Sequence, residues 1–412
     1  MADIDVLIIG AGVSGLTCAR RLQKSRLNVT ILEASDGVGG RIRTDEVDGF
    51  RLDRGFQTLL TAYPEPKLWI DYSLLELRPF YSGARVWFND RFYQVADPFR
   101  HPIDALGTLF NPIGNVVDKA LVASVRRQAC SGRLEEVFNR PEEPTLSYLQ
   151  RAGFSKGMID RFFRPFLGGI FLDSDLRTSS RAFEFVFRMF AQGDTAIPAR
   201  GMGAISDSLA ASLSPGCVRF NSRIARIRGQ RALGADGQEY EARAIVVATE
   251  GPAAVTLLGL ERPTGSRAVQ CYYYTGKALT RGEPILHLDG TGRGPFNSVV
   301  FMNDVVPDCA PRGELLLSAT ALGANPVNDM DARRQLTAWF GGEAANWRLL
   351  KQYTVRHAQP DLTQVHLPER QRPARVRSGL YACGDYRFTA SINGAMESGR
   401  LAAEAIIDDL GR

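Results

Sequence analysis

Lysine is scarce in this chain of 412 residues. Only Lys24, Lys67, Lys119, Lys156, Lys277 and Lys351 occur, so nearly all of the 50 basic residues are arginine. Their surplus over 45 acidic residues is small and dispersed, which argues against a nucleic-acid partner. Histidine is scarcer still: four residues, none in a ligand-like cluster, so no metal site is expected. The six cysteines (Cys18, Cys130, Cys217, Cys271, Cys309 and Cys383) are far apart and form no C-x-x-C pair. They read as reduced thiols rather than a redox dithiol. Long apolar runs are missing too, since nothing reaches the ~18 residues that a membrane span requires. The first strand lies within a few residues of Met1, so no signal peptide is expected, and the expected location is cytoplasmic. The length suffices for a large core and about two domains.

What is present is concentrated at the two ends. Near the start, Val6–Ile9 is a short apolar run of the kind buried on both faces of a parallel sheet. Gly10, Gly12 and Gly15 follow at G-x-G-x-x-G spacing, and a helix opens at Leu16. Gly10 allows the tight turn, Gly12 lets the backbone approach a pyrophosphate, and Gly15 lets helix and strand pack closely. A second strand, Val29–Leu32, ends at Glu33, whose carboxylate can accept ribose hydroxyls and would repel the 2′-phosphate of NADP. The motif therefore sits in the strand–helix context that a dinucleotide fingerprint requires. Gly39 and Gly40 then permit a second close backbone approach, and Arg41 offers a planar donor fork to a phosphate.

This extended pattern resembles the FAD signature of the flavin amine oxidase and phytoene desaturase superfamily. The resemblance implies a Rossmann-like FAD-binding domain of the glutathione reductase type, with an α+β substrate domain that contains a helical insertion. It sharpens at Gly55, Ala62, Tyr63 and Pro64, which match plant-type phytoene desaturases. Gly55 would let the backbone pass close to an isoalloxazine ring. At the other end, Gly384, Asp385, Tyr386, Ala390, Ser391, Gly394, Ala395, Ser398 and Gly399 match the plant-type phytoene and ζ-carotene desaturases. There Asp385 can accept ribityl hydroxyls, and the N-terminus of the last helix, expected over 394–407, can stabilise negative charge on a flavin. The cofactor-binding set implied by the resemblance is Gly10, Gly12, Gly15, Glu33, Gly39, Gly40, Arg41, Gly55, Ile224, Gly384, Asp385, Ile392, Gly394 and Ala395. Ile224 enters because the main chain near it would meet the adenine. No side chain is identified as a general acid or base.

The middle of the chain reads as the substrate part. Residues 85–94 suggest a hairpin around Asn89-Asp90. A mainly helical insertion then runs to about Gln192, and its segment 102–125, poor in charge, is a candidate for peripheral membrane contact or for a buried helix pair. Phe183, Phe187 and Phe190 recur at helical spacing, as core residues or as the wall of an apolar tunnel. Val218 to Ile227 reads as a strand pair, Ala244–Ala248 as a buried parallel strand, and the stretch from Arg262 to about Thr320 as a β-rich floor. The expected divisions are FAD-binding segments 1–80, 196–261 and 351–412, with substrate segments 81–195 and 262–350.

The resemblance implies hydride removal by FAD from an apolar, isoprenoid or polyene substrate; the sequence leaves the electron acceptor open between oxygen and a quinone. Amine oxidases carry an aromatic residue near the last helix; Ser391 stands there, and a cation cage without its aromatic wall loses its main attraction. Lys277 reads as a solvated strand-end residue rather than a lysine beside the flavin. A flavin-dependent amine or protoporphyrinogen-type oxidase is the alternative. A redox-neutral polyene isomerase and a non-catalytic flavin-binding protein are alternatives of another class.

Overall fold

The computed structural model describes residues 4–109, 111–260, 265–278, 282–361, 363 and 373–411. The boundary expected at Arg262 lies outside them. Val6–Ile9 and Val29–Leu32 are buried along their whole length and pair in parallel register, Val6 opposite Val29. Ala244–Val247, equally buried, pairs in parallel on the other side, and Leu380–Ala382 follows it. The full order is 218–219, 29–32, 6–9, 244–247, 380–382 and 375–377, with only the last strand antiparallel. β-Branched and leucine side chains on both faces are what a sheet covered by helices requires.

Two helices cross on one face of this sheet: Val13–Lys24 and the long C-terminal Ile392–Asp409. They approach closely because Gly399 has no side chain; a Cβ there would overlap the Ser14 carbonyl. That crossing brings the two chain ends together, with their glycine-rich blocks following the carboxyl ends of the strands 6–9 and 380–382.

The second body is a seven-stranded, mostly antiparallel sheet in the order 348–360, 266–277, 314–322, 298–301, 286–289, 83–88 and 91–96. The hairpin at Asn89-Asp90 forms as expected: both residues take positive φ, 49° and 58°, as a two-residue turn demands. The division expected between residues 350 and 351 falls inside the strand Arg348–Pro360, whose cross-strand bonds to Ser266–Lys277 keep residues 351–360 in this sheet. The strand pair expected over 218–227 is not a pair. Val218–Arg219 extends the parallel sheet, whereas Ile224–Arg228 joins a separate antiparallel sheet with 231–234 and 239–241.

The insertion is helical, with Val116–Cys130, Arg164–Phe171 and Ser180–Gln192 as its main helices. Ile159–Phe163 is a π-helical turn just before Pro165. Proline has no N–H to donate to the preceding turn, so the helix widens there, and such turns gather at functional sites. No helix among the described residues is long and apolar enough to cross a membrane.

Candidate functional site

One cavity of about 1400 Å³ runs through the molecule from the parallel sheet to the insertion. Twelve of the fourteen residues expected to bind the cofactor line it: Gly10, Gly12, Glu33, Gly39, Gly40, Arg41, Gly55, Ile224, Gly384, Asp385, Ile392 and Ala395. Gly15 and Gly394 do not. A Cβ on Gly15 would overlap the Gly10 carbonyl and lie 3.2 Å from Ala248 Cβ, so Gly15 serves helix–strand packing. A Cβ on Gly394 would overlap Thr389, so Gly394 lets the last helix start against the preceding turn.

The glycines differ in what they do. Gly10 has φ +108°, and a side chain there would come 2.9 Å from the Ala248 carbonyl. Gly12 has an ordinary φ of −71° and nothing within 4 Å of its missing Cβ. The space at Gly12 is open cavity beside the first turn of a helix, where backbone N–H groups favour an anion. Glu33 is buried and held rigidly: one oxygen accepts from Ala11 N at 2.8 Å, the other from Ser35 N at 2.8 Å and Ser35 Oγ at 2.7 Å. Ile224 lines the cavity where the pairing register shifts between Ile224 and Arg226. Such a bulge interrupts the ladder and releases main-chain groups for other partners.

Arg41 and Asp385 come together across the chain. Arg41 Nη2 donates to Asp385 Oδ1 at 2.7 Å, and Nη1 donates to the Ala358 carbonyl at 2.8 Å. Burial pulls the Arg41 guanidinium down, but Asp385 outweighs it and holds its pKa above the ordinary value. The sequence placed a phosphate ligand and a ribityl ligand here; the fold makes them one ion pair. Ser391 also lines the cavity, and it caps the last helix, its Oγ accepting from Gly394 N at 3.0 Å. An aromatic residue at 391 would remove that cap, a second reason for serine besides the missing amine cage. Lys277 is exposed at a strand end and does not line the cavity.

Several lining residues were not foreseen. Thr249 Oγ1 is buried without a hydrogen-bond partner among the described residues, and Thr249 lines the cavity, as does Ser14 beside Cys383. Thr249 follows the parallel strand Ala244–Val247 at its carboxyl end, the place where such sheets bind ligands, which is the signal that could have found it. A buried hydroxyl without a partner marks the place of a polar ligand. Together with the open Gly12 cradle, the Glu33 carboxylate and the Arg41–Asp385 pair, this hydroxyl fits FAD.

Away from this end the wall turns apolar. The phenylalanine stripe divides: Phe183 is fully buried core, whereas Phe187 and Phe190 line the cavity with Phe162, Phe163 and Phe166. Both readings of the stripe hold, each for different residues. Tyr63, from the Ala-Tyr-Pro block, is buried, lines the cavity and stacks on Phe185 at 5.9 Å.

Comparison with known proteins agrees with this geometry. Residues 13–274 match the family described as flavin containing amine oxidoreductase. Coproporphyrinogen III oxidase of Mycobacterium tuberculosis is 24% identical over 215 residues, which are 51% of this chain and 45% of that protein. Phytoene desaturase of Fusarium fujikuroi is 38% identical over 101 residues, 22% of this chain and 17% of that protein. The chain thus matches at most about half the length of these curated relatives. A solved oxidoreductase structure from Methanosarcina mazei superposes with a TM-score of 0.71 at 18% identity, covering 98% of this chain and all of that one. The chain belongs to the flavin-containing amine oxidoreductases, a family of FAD-dependent oxidoreductases.

Proposed function

We propose that the protein removes hydride from an apolar, isoprenoid- or polyene-bodied substrate lying along the phenylalanine wall of its cavity. The observation that carries this reading is the continuity of one cavity from the Gly12 cradle to Phe187 and Phe190. FAD, when bound, supplies the hydride acceptor, so the protein's task is orientation and exclusion of water. Gly10, Gly12, Gly39 and Gly40 would receive the pyrophosphate, Glu33 the adenosine ribose, and the backbone at Ile224 the adenine. Gly55 and the helix end at Ile392 and Ala395 would flank the ring system, where the helix dipole favours negative charge. Phe162, Phe166, Phe187 and Phe190 would dry and position the substrate. In this reading the parallel sheet and its helices form the FAD-binding domain, and the seven-stranded sheet with the insertion forms the substrate domain.

The cavity reaches Pro98, Pro102 and Val116, beside an exposed apolar lip of Phe99, Ile103, Val116 and Val117. A lip of this kind suits peripheral membrane contact through 102–125, from which an apolar substrate would pass inward. Oxygen or a quinone would take the electrons onward. Porphyrinogen oxidation is the second reading, favoured by the likeness to a coproporphyrinogen III oxidase over half of the chain.

Anaerobic absorbance titration of the FAD-loaded protein tests these readings. Loss of the oxidised flavin band with a polyene, and not with amines or porphyrinogens, is the expected result. Loss with an amine alone would overturn the proposal, and loss with a porphyrinogen alone would replace it with the second reading. Turnover to a product of equal mass without an acceptor would instead mark an isomerase.

A further inference from the structure

The seven-stranded sheet turns one face to the cavity, and alternation along its strands shows which residues stand on that face. In strand 298–301, Val299 packs on the far side with Tyr272 and Leu317, whereas Val300 packs on the near side with Cys271. Ser298 shares the near face with Val300 and lines the cavity. In strand 314–322, Ala319 and Ala321 belong to the far side, so Thr320 stands on the near face and lines the cavity as well. Ser298 and Thr320 are direct cross-strand partners. Both are buried, at 5% and 6% exposure, yet neither hydroxyl has a hydrogen-bond partner among the described residues. Serine and threonine opposite each other in a sheet commonly bond one another. On the same face, Cys271 Sγ and Ser318 Oγ do so at 3.2 Å, and neither residue lines the cavity. The polar row away from the cavity is thus closed on itself, and the row that meets the cavity is open.

Asn297 extends the open row and also lines the cavity. Its Nδ2 donates to the Pro165 carbonyl at 2.9 Å, which fixes the amide and leaves Oδ1 as an acceptor. Pro165 belongs to the helix that carries Phe166, so this strip lies in the phenylalanine half of the cavity. Leu288, which pairs with Ser298 on its other side, is apolar and lines the cavity too. The strip itself carries no charge. A buried hydroxyl without a partner costs free energy, and an ion brought beside neutral groups would add its own desolvation. A neutral ligand group that both donates and accepts meets every need of the strip.

We propose that Asn297, Ser298 and Thr320 form a subsite that receives a neutral hydroxyl on an otherwise apolar substrate. This rests on the apolar-substrate reading above and narrows it, from a plain hydrocarbon to an alcohol. The substrate O–H donates to Asn297 Oδ1, and its oxygen accepts from the Thr320 and Ser298 hydroxyls. A hydroxyl held at one place on the floor fixes how the apolar body lies along Phe162, Phe166, Phe187 and Phe190. A hydrocarbon of the same length has no such register.

The test uses the FAD-loaded full chain and two fluorescent polyenes, retinol and retinyl methyl ether, which differ in a single O–H donor. The expected result is that wild-type protein binds retinol about tenfold more tightly than the ether. Thr320→Val, which keeps the side-chain shape, should bring retinol down to the affinity of the ether, and Ser298→Ala should act in the same direction. Thr320→Ser should keep the preference. Equal binding of retinol and ether by the wild type overturns the proposal, whatever the variants do. So does a preference that survives both Thr320→Val and Ser298→Ala. Equal weakening of both probes by Thr320→Val also overturns it, because the hydroxyl would then serve the fold alone. Binding of neither probe would instead bring down the apolar-substrate reading, and the subsite with it.

Discussion

The two ends of the cavity are built in opposite ways. The dinucleotide end is made largely of backbone: glycine turns, a helix N-terminus and a bulge, with Glu33, Arg223, Glu250 and the Arg41–Asp385 pair among its charged side chains. The substrate end is made of side chains, projected from helices and strands scattered between residues 56 and 359. Backbone cradles tolerate almost no substitution, because any Cβ fills the ligand's place or forces a disfavoured φ. A side-chain wall changes with each residue. One framework can therefore keep its cofactor while its substrate varies, as the spread of relatives from a porphyrinogen oxidase to a phytoene desaturase illustrates.

The sharpest way to break this comparison is Gly12→Ala. The added methyl meets nothing in the protein and the backbone is ordinary there. The apoprotein should melt within about 2 °C of wild type while FAD affinity falls about a thousandfold, on the order of 4 kcal/mol. Isothermal titration with FAD and thermal melting of the apoprotein measure both; unchanged affinity would remove Gly12 from the cofactor site.

At the other end, Phe183→Ala and Phe190→Ala should separate core from wall. Phe183 is fully buried, and its truncation should cost about 4 kcal/mol in urea unfolding. Phe190, half-buried against the cavity, should cost about 1 kcal/mol, yet weaken polyene binding more than Phe183→Ala does. Equal unfolding costs would show that the stripe is all core.

Asp53 lies at the seam between the two ends. Its carboxylate accepts from Thr44 Oγ1 at 2.5 Å and Met202 N at 2.9 Å, and its main-chain carbonyl accepts from the Tyr273 hydroxyl at 2.9 Å. Burial pushes its pKa up from 3.8 to about 6. The folded protein thus holds a proton that the unfolded chain has released between those values, so stability falls as pH rises from about 4 to about 6 and is level above. The full effect is about 3 kcal/mol. Asn at this position keeps both acceptor bonds without the charge, so Asp53→Asn should gain that amount over wild type between pH 4 and pH 7. Urea unfolding across the range measures it, and a constant difference would mean that Asp53 does not titrate there. A smaller effect than that of Asp53→Asn is expected for Glu33→Gln. It retains an acceptor for Ala11 N but loses the charge facing the ribose, for about a tenfold loss of FAD affinity, or about 1.4 kcal/mol. No loss would place the ribose elsewhere.

These contrasts also explain what could be read in advance. The turn at Gly10, the open space at Gly12 and the acid at Glu33 were legible because each is set within a few residues of chain. The packing role of Gly15 was read from its place in the motif, but that of Gly394 shows the limit: spacing marks a glycine, and only the neighbour at its missing Cβ says whether the ligand or the protein fills that space. The division of the phenylalanine stripe had the same cause. Period alone places Phe183, Phe187 and Phe190 on one face, and the partners opposite that face decide which become core.

By itself, then, the sequence determined the parallel sheet, its glycine-rich turn, the FAD signature and the helix that closes the chain. Those features are local, set by hydrophobic runs and glycine positions. The tertiary structure alone decided that Arg41 pairs with Asp385, that strand 348–360 belongs to the seven-stranded sheet, and that Ser14 and Thr249 line the cavity. Each joins residues distant in the chain, and such contacts depend on how whole sheets and helices pack, which no short window of sequence encodes.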